Sequence, residues 1–181
     1  MDQQSILDAI GHDMKTVIVL AMHGAPPKDV SPRQVIELVG LHEGLDHAPA
    51  WVRRALEPRH RKLDARMRAY PRTRQNDPFW AGSQELAEHL RVVTGLEVIV
   101  GFNEFCAPTL DEALDEAAAQ ADKIIVVTPM MTRGGEHSEV EIPATVSRAQ
   151  ARHPHVEFKY AWPLDVTAIA QLLAGQIAYL S

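Results

Sequence analysis

Thr16-Val17-Ile18-Val19-Leu20-Ala21 runs without polar alternation into Met22-His23-Gly24, and Lys123-Ile124-Ile125-Val126-Val127 runs the same way into Thr128-Pro129-Met130-Met131. Short continuous stretches of β-branched and aliphatic residues are the pattern of strands buried on both faces. Leu96 to Val100 and Val156 to Tyr160 repeat it. Between and after these runs the period changes to that of helices, over Ser83 to Val93, Leu110 to Ala121, Ile142 to Arg152 and Val166 to Tyr179. In the second of these, Leu110, Leu114 and Ala117 or Ala118 form one face while Asp111, Glu112, Asp115 and Glu116 form the other. Thr109 is placed to cap it, with Glu112 completing a capping box. Strands alternating with helices predict βαβ units, hence an α/β fold with a four-stranded parallel sheet flanked by helices in a flavodoxin-like layering. The length of 181 residues fits one domain spanning the whole sequence.

One stretch interrupts the alternation. From about residue 25 to 82 no strand is legible, although such connections usually take only about 2 to 6 residues, so a helical insertion is predicted there. Ser31 to Val39 reads as a helix with Ser31 as N-cap and Pro32 at its first position. Ala50 to Leu56 and Arg59 to Tyr70 read as two more, broken near Pro58, with Arg72 to Trp80 as a loop. Residues 53–74 carry nine basic side chains (Arg53, Arg54, Arg59, Arg61, Lys62, Arg66, Arg68, Arg72 and Arg74) against Glu57 and Asp64. The segment is therefore +7 and the remainder −13, within a net charge of −6. Such a run is either the solvated face of surface helices or a grip on a polyanion; arginine in place of lysine suits bidentate carboxylate or phosphate binding.

The acidic balance argues against a general nucleic-acid partner, which needs a net basic surface. The longest apolar run, Val17 to Met22, is far short of the roughly 20 residues a membrane helix requires. Asp2, Asp8 and Asp13 within Met1 to Lys15 do not suit a signal peptide; that segment is expected to be a short helix or a disordered leader. The single cysteine, Cys106, offers no internal disulfide, and a cytoplasmic location is expected.

In a parallel α/β sheet, ligands bind beyond the carboxyl ends of the strands. His23 follows the first strand, Glu104 the second and His137 the third, which predicts their convergence on one rim. Two imidazoles and a carboxylate suit Co, Ni, Fe or Zn with positions left open. Each also has a plainer role: a structural histidine, a capping glutamate. Cys106 is either a thiolate ligand or a small buried hydrophobe, and Met130 and Met131 either wall a flat ligand or fill the core. His12, His42, His47, His60, His89, His153 and His155 share no motif spacing and are expected at the surface. Neither a Walker-type loop nor a Gly-x-Gly-x-x-Gly accompanies Gly134-Gly135, and no Gly-x-Ser-x-Gly elbow supports Ser138 as a nucleophile.

The order of these motifs is specific. A strand ending in His23-Gly24, then Phe102-Asn103-Glu104 with Ala107-Pro108-Thr109-Leu110 opening an acidic helix, then Val126-Val127-Thr128-Pro129-Met130-Met131 and Gly134-Gly135-Glu136-His137 leading to Glu141-Ile142-Pro143, resembles the class II tetrapyrrole chelatases. These are the sirohydrochlorin cobaltochelatases and ferrochelatases. The resemblance implies a chelatase-like fold. It also implies ATP-independent insertion of a divalent metal, Co²⁺ or alternatively Fe²⁺ or Ni²⁺, into sirohydrochlorin or a related tetrapyrrole, in cobalamin or sirohaem synthesis. By it, His23, Glu104 and His137 hold the metal and His23 and His137 accept protons. No cofactor beyond the metal substrate is implied.

Sirohydrochlorin's peripheral carboxylates direct attention to Arg59, Arg66 and Arg74 as substrate contacts, with Met130 and Met131 as an apolar wall. Ala25-Pro26-Pro27 and Asn76-Asp77-Pro78-Phe79 are more similar to the porphyrin ferrochelatase branch, so the macrocycle stays open. The resemblance further implies a homodimer, unless the insertion completes the pocket within one chain. A non-catalytic carrier of tetrapyrrole or metal on the same fold is the alternative function. A metal-dependent hydrolase is a third, weakened by the lack of a base beyond the ligands.

Overall fold

The structure, a computed structural model, describes residues 14–180; the expected leader at Met1 to Lys15 falls almost entirely outside them. Strand β1 (Thr16–Met22) is buried along its whole length. That suits the central position it takes in a four-stranded parallel sheet of order β2-β1-β3-β4, with β2 at Glu97–Phe102, β3 at Lys123–Val127 and β4 at Glu157–Tyr160. Leu20 pairs with Val100 on one side and Val127 on the other, so β1, β2 and β3 end almost level. Because β1 connects to a neighbour on one side and β3 lies on the other, the crevice at its carboxyl end is the switch point at which α/β sheets bind ligands.

Side chains alternate across the sheet. Val17, Val19 and Ala21 join Ile124 and Val126 under helices α4 (Leu110–Ala118) and α5 (Ile142–Arg152), forming the larger core. Ile18, Leu20 and Met22 join Val98, Val100 and Phe102 on the opposite face under helix α3 (Pro78–Thr94). That second face is less fully covered: along β3, Ile125 and Val127 remain only half-buried. The edge strand β4 has no fully buried residue. The Thr109–Glu112 capping box forms in both directions at the start of α4. Gly101 on β2 is required by close packing, since a Cβ there would come within 2.8 Å of the Ala113 Cβ.

Three helices separate β1 from β2, where the sequence reading gives four. Helix α1 (Pro32–Asp46) starts one residue past Ser31 as the sequence indicates, but continues well beyond Val39. Helix α2 (Ala50–Arg68) is continuous, where the sequence reading broke it into two near Pro58. Residues 53–59 are all exposed, so the carbonyl of Arg54 that Pro58 leaves without its helical partner is open to water and the helix runs on. Helix α3 begins at Pro78, inside the stretch read as a loop: the Asp77 carboxylate accepts from the Trp80 backbone N–H at 2.8 Å, and Pro78 takes the first turn.

Helices α1 and α2 pack on each other and attach to the body through a small third cluster of Val30, Leu38 and Met67, against which Phe105 rests. The two ends of this helix pair meet. Lys28 N–H donates to the Asn76 carbonyl at 2.7 Å, and Arg72 Nη1 donates to the Ala25 carbonyl at 2.6 Å. Helix α6 (Val166–Tyr179), capped by Asp165, has no buried residue.

Candidate metal centre

The first three strands each deliver one side chain to the rim. His23 follows β1, Glu104 follows β2 and His137 opens a single π-helical turn (His137–Glu141) after β3. One ligand atom from each of the three lies within 4.8 Å of the others. This is the one such group among the described residues. The His23 and His137 rings meet edge to face at 4.4 Å between centroids, and His137 Nε2 stands 4.0 Å from Glu104 Oε1.

The loops hold these groups by backbone constraints. Glu104 N–H donates to the His23 carbonyl at 2.8 Å, stitching the two loops side by side. Gly24 sits at φ +96°, and a Cβ there would lie 1.9 Å from the Glu104 carbonyl oxygen, so the approach excludes any side chain. His23 Nδ1 is 2.7 Å from the Gly24 carbonyl, an acceptor only, so Nδ1 carries the proton and Nε2 keeps its lone pair. His137 Nδ1 is 2.6 Å from Glu141 Oε2, four residues along the π-helical turn, which fixes the same tautomer. Both imidazoles therefore present Nε2 as the donor atom.

Two arginines from the end of the insertion brace this rim. Arg68, ion-paired with Asp64, donates to the carbonyls of Asn103 (2.9 Å) and Cys106 (2.8 Å), on either side of Glu104. Arg72 is almost fully buried with Asp77, to which it is ion-paired, and donates to the carbonyls of Ala25, Met67 and Phe105. Its guanidinium thus ties the His23 loop to the Glu104 loop.

A cavity of about 280 Å³ opens beside Glu104 and His23. His42 and Leu38 of α1 and His60, Asp64 and Arg68 of α2 form its far side. A second, of about 420 Å³, lies on the other flank of Arg68 and Asn103 and reaches Glu141 and Arg148.

The structure thus brings His23, Glu104 and His137 together. It does not bring Arg59, Arg66 or Arg74 to them: Arg59 pairs with Glu37, Arg74 with Glu85, and Arg66 borders a separate small cavity near Tyr70. The α2 face turned to the site is the stripe His60, Asp64, Arg68, spaced i, i+4, i+8. Net charge does not reveal that phase, but periodicity does. His42, exposed, and His60, half-buried, stand at the surface as expected and also line the cavity. Met130 packs against the larger core and Met131 is partly exposed. Cys106 is fully buried, and its thiol points to the Ala25 carbonyl and Asp77, away from any ligand role; burial pushes its pKa up. Among the described residues no helix is long and apolar enough to cross a membrane.

The CbiX family model matches residues 74–178, more than half of the chain. A 65-residue stretch is 35% identical to the sirohydrochlorin cobaltochelatase of Priestia megaterium, covering 36% of this chain and 21% of that protein. A 61-residue stretch is 36% identical to the sirohydrochlorin cobaltochelatase of Methanopyrus kandleri, covering 33% of this chain and 43% of that one. The chain therefore spans less than half the length of these curated relatives. Among solved structures, a CbiX protein of cobalamin biosynthesis from Marinobacter aquaeolei VT8 aligns over 91% of this chain and 98% of its own, at 16% identity and a TM-score of 0.49. The sirohydrochlorin chelatase SirB from Bacillus subtilis subspecies spizizenii, solved with cobalt, aligns over 81% of this chain and 42% of its own, at 18% identity and a TM-score of 0.40. On the match over residues 74–178, the chain belongs to the CbiX family of class II chelatases.

Proposed function

We propose that this chain inserts a divalent metal, Co²⁺ in the first instance, into sirohydrochlorin or a closely related tetrapyrrole without ATP. The observation that carries the reading is the group of two Nε2 donors and one carboxylate, delivered by three adjacent parallel strands and held within 4.8 Å. Family membership supports it, as do the two cobaltochelatase relatives.

The metal is the substrate. His23, Glu104 and His137 bind it and take the place of part of its water shell, leaving positions on the open side for pyrrole nitrogens. Metallation releases two protons from the macrocycle. As the ion passes to the ring nitrogens, each Nε2 lets it go and becomes a base for one of those protons, with Glu104 offsetting the charge. At His137 the hydrogen-bonded Glu141, 39% exposed, stabilises the imidazolium and lies on the way to solvent. The cavity beside the trio falls just short of the roughly 300 to 1,000 Å³ of ligand pockets, so a tetrapyrrole needs a further wall.

A second copy of the chain supplies that wall in our reading, as a homodimer. Helix α6 supports this: from Val166 to Leu180 there is no charged residue, and none is buried within the chain. A solitary 14-residue helix is marginal in water without a partner surface.

An anaerobic absorbance titration with sirohydrochlorin and Co²⁺, set against a protein-free control, tests the activity. Many turnovers per chain are expected, and His137→Ala should fall to the control rate while keeping the wild-type circular dichroism spectrum. Metallation that stops at one ion per chain would make the protein a carrier instead, and an active His137→Ala would remove the site assignment.

A further inference from the structure

The π-helical turn that carries His137 leaves one of its own carbonyls without a backbone donor. The Ile142 N–H donates five residues back, to the His137 carbonyl, and so passes over Ser138, its α-helical acceptor. One more π-helical bond would bring Ser138 the N–H of residue 143, but that residue is Pro143 and has none. The Ser138 hydroxyl already donates to the Gly135 carbonyl, at 3.1 Å. Ser138 is 1% exposed, and a buried carbonyl without a donor is costly. Tyr160 supplies the donor: its hydroxyl gives a hydrogen bond of 2.9 Å to the Ser138 carbonyl.

Tyr160 is well anchored for this. It ends β4 and pairs with Val126 of β3, the strand after which the turn follows. Its ring packs against the larger core and stacks on Trp162, at 6.3 Å between centroids and 15° between planes. Burial pushes the phenol pKa up to about 12, so the hydroxyl keeps its proton. The turn is thus tied to the same sheet whose strand ends position His23 and Glu104.

We propose that Tyr160 is a positioning residue for the candidate metal centre, its hydroxyl standing in for the N–H that Pro143 lacks and holding the π-helical turn in the register that brings His137 Nε2 to Glu104 and His23; this rests on the reading that the trio receives the metal. Without the hydroxyl, the Ser138 carbonyl finds its donor by taking the Ile142 N–H from His137, which is the α-helical pattern. That exchange tightens the turn and rotates His137, at its start, relative to the other two donors. Metal–ligand distances tolerate only about 0.2 Å either way, so a small rotation is enough to loosen the His137 bond. Tyr160 acts through His137 alone, and no proton or electron moves.

Co²⁺ binding without any macrocycle tests this independently of turnover. Equilibrium dialysis is run on the wild type, Tyr160→Phe, His137→Ala and the double variant. Tyr160→Phe removes one oxygen and leaves the ring in the core. Co²⁺ should bind to it roughly tenfold more weakly, as when a partner that orients a metal ligand is removed, with the circular dichroism spectrum unchanged. In the His137→Ala background, where His23 and Glu104 remain as donors, the same change should make no further difference.

Wild-type affinity in Tyr160→Phe would overturn the proposal. An equal loss in both backgrounds would also overturn it, since the hydroxyl would then serve the fold at large, and so would a Tyr160→Phe chain that loses the wild-type circular dichroism. Failure of multiple turnover with these binding results intact would instead count against the chelatase reading alone.

Discussion

Gly24 carries more of the candidate metal centre than its size suggests. Its positive φ and the 1.9 Å that would separate a Cβ from the Glu104 carbonyl mean that the β1 and β2 loops touch through bare backbone. Gly24→Ala is expected to cost at least about 2 kcal/mol in strain, and to push Glu104 away from His23. Urea unfolding and Co²⁺ affinity should fall together, and native affinity in the variant would mean that the loops adjust independently of each other. The trio was legible in the sequence because each member directly follows a strand-forming run, and parallel strands end on one side. That His42 and His60 line the cavity was not legible, since they lie eighteen residues apart on a helical hairpin whose closure no local pattern announces. The arginines were misplaced for a related reason. Nine basic residues signal a charged segment but not its rotation; Leu63, Met67 and Tyr70, at i, i+4 and i+7, mark the face packed inward, and the stripe His60, Asp64, Arg68 is the one that lines the cavity.

At the scale of elements, the buried Arg72–Asp77 pair joins four parts of the chain: the end of α2, the start of α3 and the loops after β1 and β2. Asp77 is 1% exposed and also caps α3, so removing its partner leaves a charge in the interior. Arg72→Met should destabilise the chain by about 3 to 5 kcal/mol, read as a lower urea midpoint at unchanged slope. A loss below about 1 kcal/mol would mean that the pair is solvated more than its burial indicates. The four strands were readable within two residues at each end, because runs such as Lys123–Val127 have no competing helical period. The start of α3 was missed although Asp77-Pro78 is a strong N-terminal signal, its weight hidden by the neighbouring turn-forming Thr73 and Asn76, which bond to each other. Continuity through Pro58 had no signal at all, since it depends on the whole of that turn of α2 standing in water.

Taken whole, the molecule has one sheet face closed over β1 and β3 by α4 and α5 and one where Ile125 and Val127 stay half-buried while an apolar helix has no buried residue. Both features belong to a single chain, so a two-fold pair of chains can satisfy them reciprocally. Sedimentation equilibrium should give twice the chain mass, and Leu173→Glu/Ile177→Glu, at positions 55% and 67% exposed, should give the single mass. A wild-type protein that sediments at the single mass would remove the dimer from the reading. The helix itself was legible from Val166 to Tyr179; that it would lie uncovered was not, because periodicity reports an apolar face and not what occupies it.

The contact between the two ends of the helical insertion has a different kind of consequence. With Lys28 bonded to Asn76 and Arg72 to Ala25, the segment leaves and rejoins the body at nearly one point. Loop closure across such a gap changes slowly with the number of residues it spans. The hairpin's length can therefore change at little entropic cost to the sheet, as long as Arg68 and Arg72, which brace the loops of His23 and Glu104, keep their places.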